Sequence, residues 1–305
     1  MALDNIRFYI TEKCNAKCPN CFNRQSRNNT SSMDIEHFKL LCQHFSAKSS
    51  KQIKIMGGEP TIHPDFSVLM RISQQYYERV NLFTNAISDK LYEFVPREND
   101  IVTYNFRFRR LLTPRKLLLE YPGYRNLEIQ ITPNVIKEKL VDEIIRVSKF
   151  AVDRIRPCLT LDCTSNIFSQ RDLIVPIYEY VWQVCSQSGI KMGQDHLLPL
   201  CYLEGTQIPM PREGANCLLS CAGLIDSSYR FHYCNQYYDN SIPVFKSDGT
   251  TESIEVLEKF LILRHKENLQ KNFVKGCNIC PLYSKLCNGG CFMGNETIQR
   301  ITSPF

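Results

Sequence analysis

The chain has 305 residues, of which 43% are hydrophobic, and its formal net charge is +6. This length is enough for one large domain and a smaller one, each with its own core. No apolar run approaches the length that spans a bilayer, so a membrane protein is not expected. The charge is mild, and no basic run is interleaved with stacking aromatics, so we expect no nucleic-acid partner.

The first ten residues, MALDNIRFYI, carry charged side chains and run straight into a group of cysteines. They do not have the pattern of a signal peptide, which predicts a cytoplasmic location. The chain has 15 cysteines. In the cytoplasm such a number favours metal binding over disulfide bonds.

Strand-like and helix-like segments alternate along the first part of the chain. Strands are predicted at residues 5–11, 52–56, 79–83, 101–108, 127–132 and 154–161. Helices are predicted at residues 34–46, 66–78, 90–95, 114–120, 136–150 and 173–188. Repeated strand–helix units predict an α/β fold with a parallel sheet and right-handed crossovers. The alternation stops near residue 190, which predicts domains 1–190 and 191–305, the second with a helix at 253–272.

The later strands alternate apolar and polar side chains. Asn105 and Arg107 occupy one face of the fourth strand, and Glu128 and Gln130 occupy one face of the fifth. Because successive side chains of a strand point to opposite faces, this polar face would line the interior if helices cover the apolar one. An edge strand with one wet face is the alternative for Glu128 and Gln130.

Three cysteines, Cys14, Cys18 and Cys21, follow the first strand, separated by three and then two residues. Thiolates this close can converge on one soft metal centre. Three ligands for a four-iron cluster leave one iron able to hold a small molecule. Structural zinc is the alternative, but it needs a fourth ligand nearby. The nearest candidates lie in a separate helical segment: His37, Cys42 and His44.

The cysteine spacing resembles the cluster motif of the radical S-adenosylmethionine (SAM) superfamily. The resemblance implies a partial (β/α)6 barrel and a [4Fe–4S] cluster whose open iron chelates SAM. It also implies reductive cleavage of SAM to a 5′-deoxyadenosyl radical, which abstracts hydrogen from a substrate. One departure is Asn20, where the superfamily usually has an aromatic residue, although Phe22 follows the third cysteine.

A second motif, Gly57-Gly58-Glu59-Pro60, lies between the second strand and a helix. Glycines let the backbone approach a ligand closely. The motif matches the superfamily motif that holds the SAM amino group, with Glu59 as the acceptor.

Three more residues are candidate contacts for the cofactor. Asn85 and Asn134 follow predicted strands, where open α/β folds place ligand contacts. Arg107 could pair with a carboxylate of SAM or substrate. A loop-capping role for the asparagines and a solvated position for Arg107 are the alternatives.

The tail is rich in cysteine. The pattern consists of Cys277, Cys280, Cys287 and Cys291, with Cys217, Cys221 and Cys234 upstream. It resembles the C-terminal extension called SPASM, or the shorter twitch, which bind one or two auxiliary [4Fe–4S] clusters. The full SPASM pattern has a further cysteine, and none follows Cys291 in this sequence.

By analogy, one auxiliary cluster would use Cys217, Cys221, Cys234 and Cys291. A second would have Cys277, Cys280 and Cys287, and would keep an open iron, borrow Cys201, or not exist. Zinc is the alternative for the whole tail. Cys42, Cys158 and Cys185 are predicted core residues, and Cys163 is a candidate for facing the cavity.

SPASM and twitch enzymes mostly modify peptides, and an auxiliary cluster often accepts an electron from the substrate radical. The leading hypothesis is therefore a maturase of a ribosomally made peptide, forming a crosslink or oxidising a side chain. The expected partners are the peptide and an electron donor of flavodoxin or ferredoxin type. The leader peptide would be bound by a separate protein or recognised directly by the barrel rim. The alternatives are a twitch-type small-molecule oxidase or dehydrogenase and a zinc-stabilised protein without catalysis.

Substrate oxidation also needs a general base. The candidates are Asp162, Asp195 and His196. Sulfatase-maturating enzymes of the SPASM group carry an Asp where this chain has Asn235, so that activity is not assigned.

Overall fold

The computed structural model describes residues 3, 5–18, 21, 30–47, 51–106, 123–131, 152–159, 171–193, 200–209, 223–234, 241–271, 277–281 and 287. The chain divides into two compact units. Unit 1 comprises Met1–Asn105, Tyr121–Arg125 and Cys221–His265, and unit 2 comprises Phe106–Glu120, Asn126–Ser220 and Lys266–Phe305. This division does not follow the predicted boundary near residue 190, because residues 221–265 pack with the beginning of the chain.

The structure describes ten strands: β1 (Asn5–Tyr9), β2 (Gln52–Met56), β3 (Arg79–Thr84), β4 (Ile101–Phe106), β5 (Tyr124–Ile131), β6 (Arg154–Leu159), β7 (Lys191–Met192), β8 (Leu224–Ile225), β9 (Arg230–His232) and β10 (Ser241–Pro243). In unit 1, β1 to β4 lie in chain order and pair in parallel. The other edge of β1 pairs in parallel with β8, and β9 and β10 follow antiparallel.

Most of β5, with β6 and β7, lies in unit 2, where the three pair in parallel. The six predicted strands are therefore confirmed, with ends shifted by a few residues. Strands β7 to β10 were not predicted, because strands of two or three residues are too short to show a periodic pattern.

Five α-helices are described: α1 (Ile35–Ser46), α2 (Phe66–Tyr76), α3 (Arg171–Gln187), α4 (Leu200–Leu203) and α5 (Ile254–Lys271). Asp34 caps α1 by accepting the backbone N–H of His37 at 2.9 Å. The helix predicted at 90–95 is wrong: Asp89–Glu93 forms a 3-10 turn. Pro96 follows this segment, and the residue before a proline disfavours the α-helical conformation, so the chain is extended from Phe94. The helices predicted at 114–120 and 136–150 lie outside the described residues.

The apolar face of the sheet in unit 1 packs against helices. Phe8 on β1 is fully buried, and its ring meets Phe38 and Phe45 of α1 edge-on, with centroids 5.6 and 6.0 Å apart. Such aromatic pairs add stability beyond the area they bury. Helix α1 is thereby fixed against the strand that leads into the cysteine motif.

The polar face of the strands is also shielded from water. In unit 1, Thr103 and Asn81 are buried, and the Thr103 hydroxyl donates to Asn81 Oδ1 at 2.9 Å. In unit 2, Glu128 is 7% exposed and accepts from Arg156 of the neighbouring strand at 2.9 Å. This burial favours the predicted interior position of Glu128 over a wet edge. The side chain of Gln130 lies outside the described set.

None of the helices in the described part of the chain is long and apolar enough to cross a membrane.

Candidate functional site

The segment that carries the three cysteines is a loop held at both ends beside β1. The backbone N–H of Glu12 donates to Ser31 O at 3.0 Å, and that of Met33 donates to Ile10 O at 2.8 Å. The returning chain therefore lies against the outgoing chain where β1 ends. Of the three thiols, Cys14 is exposed, Cys18 is buried and Cys21 is half-buried.

Gly57 and Gly58 pack directly against the backbone that leads into the cysteine loop. The Gly58 N–H donates to Thr11 O at 2.8 Å. A Cβ added at Gly57 would lie 2.4 Å from Thr11 O, and one added at Gly58 would lie 2.3 Å from Lys13 O. In this structure the two glycines therefore allow two loops to touch, which is a different reason from the predicted approach to a ligand.

The Glu59 side chain joins the ends of β2 and β3. It is 1% exposed, and its Oε1 accepts the hydroxyls of Thr61 at 2.6 Å and Thr84 at 2.7 Å. Its Oε2 accepts the backbone N–H of Asn85 at 2.7 Å. Burial raises the pKa of Glu59, and the bonds from Asn85, Thr61 and Thr84 oppose that rise by stabilising the carboxylate.

Asn85 links this carboxylate to the cysteine loop. Its Nδ2 donates to Asn15 Oδ1 at 2.8 Å and lies 4.0 Å from Cys14 Sγ, and the backbone N–H of Ala16 lies 3.4 Å from the same sulfur. Its Oδ1 also accepts the backbone N–H of Ile87 at 3.0 Å. The predicted cofactor contact and the capping alternative are thus both compatible with the position of Asn85.

Three residues that hold this site together were missed by the sequence analysis: Asn15, Thr61 and Thr84. Each lies within two residues of a recognised motif residue. A buried carboxylate needs donors. The hydroxyls of Thr61 and Thr84 could therefore have been predicted as donors to Glu59.

The donor set has the chemistry of an iron–sulfur cluster site. Three thiols on one short loop are the ligands that iron–sulfur clusters take. N–H groups lie near Cys14 Sγ, where they can stabilise a thiolate. Among the residues that the structure describes, no three His, Cys, Asp or Glu side chains are grouped as a single metal ion would require.

The tail cysteines are described in part. Cys234 follows β9 in unit 1 and is half-buried. Cys277, Cys280 and Cys287 lie in unit 2, the first two in and after a 3-10 turn at Cys277–Ile279. The remaining predicted residues lie outside the described part of the chain: Cys217, Cys221, Cys291, Cys163, Asn134, Arg107, Asp162, Asp195, His196 and Asn235.

Comparisons with known proteins agree with this geometry. Residues 8–106 match the family model described as the Radical SAM superfamily. The chain is 28% identical over 72 residues to GTP 3′,8-cyclase of Chlorobaculum tepidum, covering 24% of this chain and 22% of that protein. It is 35% identical over 63 residues to GTP 3′,8-cyclase of Shewanella denitrificans, covering 20% and 19%. The chain thus spans about a fifth of the length of the curated relatives it matches.

Two solved structures resemble nearly the whole chain. Streptococcus suis SuiB bound to S-adenosylmethionine has a TM-score of 0.68 at 15% identity, covering 95% of this chain and 73% of that chain. The protein anSMEcpe with bound AdoMet has a TM-score of 0.67 at 16% identity, covering 94% and 88%. At this identity the likeness shows the fold. The predicted α/β fold with its parallel sheet is confirmed.

Proposed function

We propose that this chain, whose residues 8–106 match the Radical SAM superfamily model, is an enzyme that cleaves SAM and modifies a peptide. Cys14, Cys18 and Cys21 would hold the [4Fe–4S] cluster and leave one iron for SAM. When bound, the cluster supplies the electron that cleaves SAM to a 5′-deoxyadenosyl radical. The other residues of the site bind and orient SAM.

Glu59 and Asn85 form the second half of the proposed SAM site. Glu59 Oε1 already accepts two hydroxyls and the Thr61 N–H, whereas Oε2 accepts the Asn85 N–H. The SAM ammonium would share the Oε2 side of this carboxylate. Asn85, which donates to Asn15 beside Cys14, would fix the position of the carboxylate relative to the cluster ligands.

The proposal of a peptide substrate rests on one observation, the large share of the chain that the fold likeness covers. SuiB was also solved bound to the precursor peptide SuiA, and that structure resembles 95% of this chain with a TM-score of 0.69. The likeness includes the region beyond residue 106, where a radical SAM enzyme would meet its substrate. We infer a maturase of a ribosomally made peptide, which forms a crosslink or oxidises a side chain.

A small molecule is the second candidate substrate. The sequence relatives are GTP 3′,8-cyclases, which favours a nucleotide. Those matches cover a quarter of this chain or less, so they carry less weight than the fold likeness. A twitch-type oxidase or dehydrogenase would belong to the same class of small-molecule enzymes.

The tail would hold one or two auxiliary [4Fe–4S] clusters, which accept the electron that the substrate radical loses. Asp162, Asp195 and His196 are the proposed candidates for the base that removes the proton. The proposal also needs an electron donor of flavodoxin or ferredoxin type. A separate protein that binds the leader peptide is the other proposed partner.

The first test measures 5′-deoxyadenosine released by the anaerobically reconstituted chain without substrate, with GTP and with a random-sequence peptide library. We expect the library to raise the release of 5′-deoxyadenosine above the rate measured without substrate. Mass spectra should show peptides that have lost two hydrogen atoms. The Cys14/Cys18/Cys21→Ala variant should release none. Stimulation by GTP and not by peptides would replace the peptide proposal with the second candidate.

A further inference from the structure

The turn that joins β8 to β9 lies against both ends of the cysteine loop. The Ser227 hydroxyl lies 2.5 Å from the Ser31 hydroxyl and 3.4 Å from Glu12 Oε1. Glu12 lies two residues before Cys14, where the chain enters the loop, and Ser31 lies where the chain returns. Ser227 and Glu12 are both 4% exposed. A side chain 196 positions beyond Ser31 therefore meets the loop at its two ends.

Tyr229, on the same turn, bonds to the residue that caps α1. Its hydroxyl donates to Asp34 Oδ2 at 2.5 Å and accepts the Asp34 N–H at 3.0 Å. Burial acts to raise the pKa of Asp34, but the hydrogen bonds from the His37 N–H and from Tyr229 outweigh it and lower that pKa to about 2. The Tyr229 ring also packs against His37 and Phe245, with centroids 4.9 and 5.4 Å away. The turn is thus joined to the start of the helix that follows the cysteine loop.

The backbone of Tyr229 has a conformation that favours glycine. Its φ is +60°, and its N–H donates to Asp226 O at 3.0 Å, which closes the turn. A residue with a side chain is strained at this φ, because its Cβ comes close to the following carbonyl oxygen. Glycine would close the turn without that strain. Strain of this kind persists only where the surrounding structure imposes it, which indicates a role for the Tyr229 side chain.

The turn itself is fixed by a buried carboxylate. Asp226 Oδ1 accepts the N–H groups of Ser228 at 2.9 Å and Arg230 at 3.0 Å. Its Oδ2 lies 2.8 Å from Nε2 of His232, which is also buried. Because β8 pairs in parallel with β1, the turn begins at the same edge of the sheet where β1 leads to Cys14. The turn is therefore a well-supported segment next to the loop.

We infer that the turn at residues 226–230 positions the cysteine loop, with Ser227 and Tyr229 as the positioning residues. Each acts through the segments that lead into and out of the loop. A loop that is ordered before the cluster binds does not lose that conformational freedom on binding. Hydrogen-bonded surroundings also orient metal ligands. The inference rests on the proposed cluster at Cys14, Cys18 and Cys21, and it adds the residues that hold their loop in place.

The first test follows amide hydrogen exchange in the full-length chain before reconstitution with iron, so it does not depend on the cluster. The reporting groups are the N–H groups of Glu12 and Met33, which join the two ends of the loop to each other and to β1. Ser227→Ala should speed exchange at both by about 2- to 10-fold, as the loss of one hydrogen bond predicts. Tyr229→Phe should do the same at Met33.

The Arg7 N–H, which donates to Gly223 O at 3.2 Å, reports whether β8 remains paired with β1. Its exchange should stay at the wild-type rate in both variants, which separates loss of positioning from unfolding of the hairpin. Ser228→Ala is the matched control, since it removes the hydroxyl of an exposed serine on the same turn and should change none of these amides. Unchanged exchange at the loop ends, an equal rise at Arg7, or wild-type loop ends that exchange as fast as an unfolded chain would each overturn the inference.

Tyr229→Gly shows whether the side chain or the backbone of this residue matters. It removes the strain together with the hydroxyl, whereas Tyr229→Phe keeps the strain and removes the hydroxyl alone. After anaerobic reconstitution, both variants should lose iron to a chelator about 2 to 10 times faster than wild type. The rate is measured for the iron that each protein holds beyond the Cys14/Cys18/Cys21→Ala variant.

A glycine variant that keeps its iron as wild type does would remove Tyr229 from the positioning residues. If the wild type holds no iron beyond the triple alanine variant, the proposed cluster fails, and the hydrogen-exchange experiment still decides whether the turn positions the loop.

Discussion

Gly58 is a residue at which a single added carbon should disturb the site. Its Cβ would lie 2.3 Å from Lys13 O and 2.5 Å from Glu12 O, both backbone atoms that cannot rotate away. Gly58→Ala should therefore push the cysteine loop out of place, at a cost of about 1–3 kcal/mol or more. We expect a lower urea midpoint and less iron retained by the first cluster.

Gly189→Ala is the control for this prediction. Nothing lies within 4 Å of the Cβ it adds, but its φ of +67° makes the new side chain strained. Backbone strain alone costs about 1–2 kcal/mol, and Gly189 is far in sequence from the cysteine loop. Iron content equal to wild type in both variants would contradict the loop-on-loop packing.

Thr84 tests the donors to the buried carboxylate. Its hydroxyl donates to Glu59 Oε1 at 2.7 Å and accepts the Ala86 N–H at 2.9 Å. Thr84→Val keeps the shape and removes both bonds, which should cost about 1–3 kcal/mol. Burial raises the Glu59 pKa and the Thr84 hydrogen bond opposes that rise, so removing the bond should leave the carboxylate less stabilised and weaken its attraction for the SAM ammonium.

The measurements for Thr84 are the urea midpoint and the SAM dissociation constant of the reconstituted protein. Thr84→Ser keeps the hydroxyl and should stay near wild type in both. A Val variant that loses stability but binds SAM as wild type does would limit Glu59 to a structural role and remove it from the proposed SAM site.

At the scale of elements, α5 carries a histidine that makes stability depend on pH. His265 is 6% exposed, its Nδ1 lies 2.8 Å from the Tyr233 hydroxyl, and burial lowers its pKa to about 4. Between its unfolded pKa of about 6.5 and this value, the unfolded chain binds a proton that the folded chain does not. Stability should therefore fall as the pH falls from about 6.5 towards 4, by up to about 3 kcal/mol.

Urea midpoints at pH 7.5 and pH 5.0 test this in wild type and in His265→Gln. The glutamine variant removes the titrating group while leaving a side chain that can accept from Tyr233. We expect its midpoint to change less between the two pH values than that of the wild type. An identical change in both proteins would assign the acid sensitivity to other groups.

Periodic elements were predictable from the sequence, and short ones were not. The apolar alternation of β1 to β6 and the helical pattern of α1 and α2 follow from residues close in the chain. Strand β8 has two residues and exists because β1 offers it a partner, so its signal lies in tertiary pairing. The 3-10 turn at Asp89–Glu93 lies in a segment with a helical pattern that Pro96 ends.

Candidate ligands of the site could be proposed from the sequence, whereas the hydrogen bonds around Glu59 could not. The cysteine spacing and the Gly-Gly-Glu-Pro stretch are contiguous motifs, so they identify Cys14 and Glu59 directly. The bonds from Thr84 and Asn85 to Glu59 join residues 25 and 26 positions apart. Such pairings depend on how β2 and β3 align, which no local pattern encodes.

At the scale of the whole molecule, SAM should stabilise unit 1. All described residues of the proposed SAM site belong to unit 1. At a SAM concentration a hundred times the dissociation constant, binding adds about 2.7 kcal/mol, which should raise the melting temperature by roughly 5 °C. Differential scanning calorimetry of the reconstituted protein measures this.

Cys18→Ala is the control for the calorimetric test, because it removes a buried thiol that the proposal assigns to the cluster. Its melting temperature should not respond to SAM. Where calorimetry resolves two transitions, SAM should move one and leave the other in place. Equal shifts of both transitions would contradict the binding of SAM through unit 1 alone.

The pairing of β1 with β8 has a consequence for how the protein is made. Phe8 lies opposite Ile225, so one side of the first strand receives its partner only after more than two hundred further residues have been synthesised. Until then that edge of the nascent chain presents free backbone groups, which can pair with other chains. Pairings this distant in sequence also form slowly. Yield in a heterologous host should therefore depend more on slow translation and chaperone capacity than on the supply of iron.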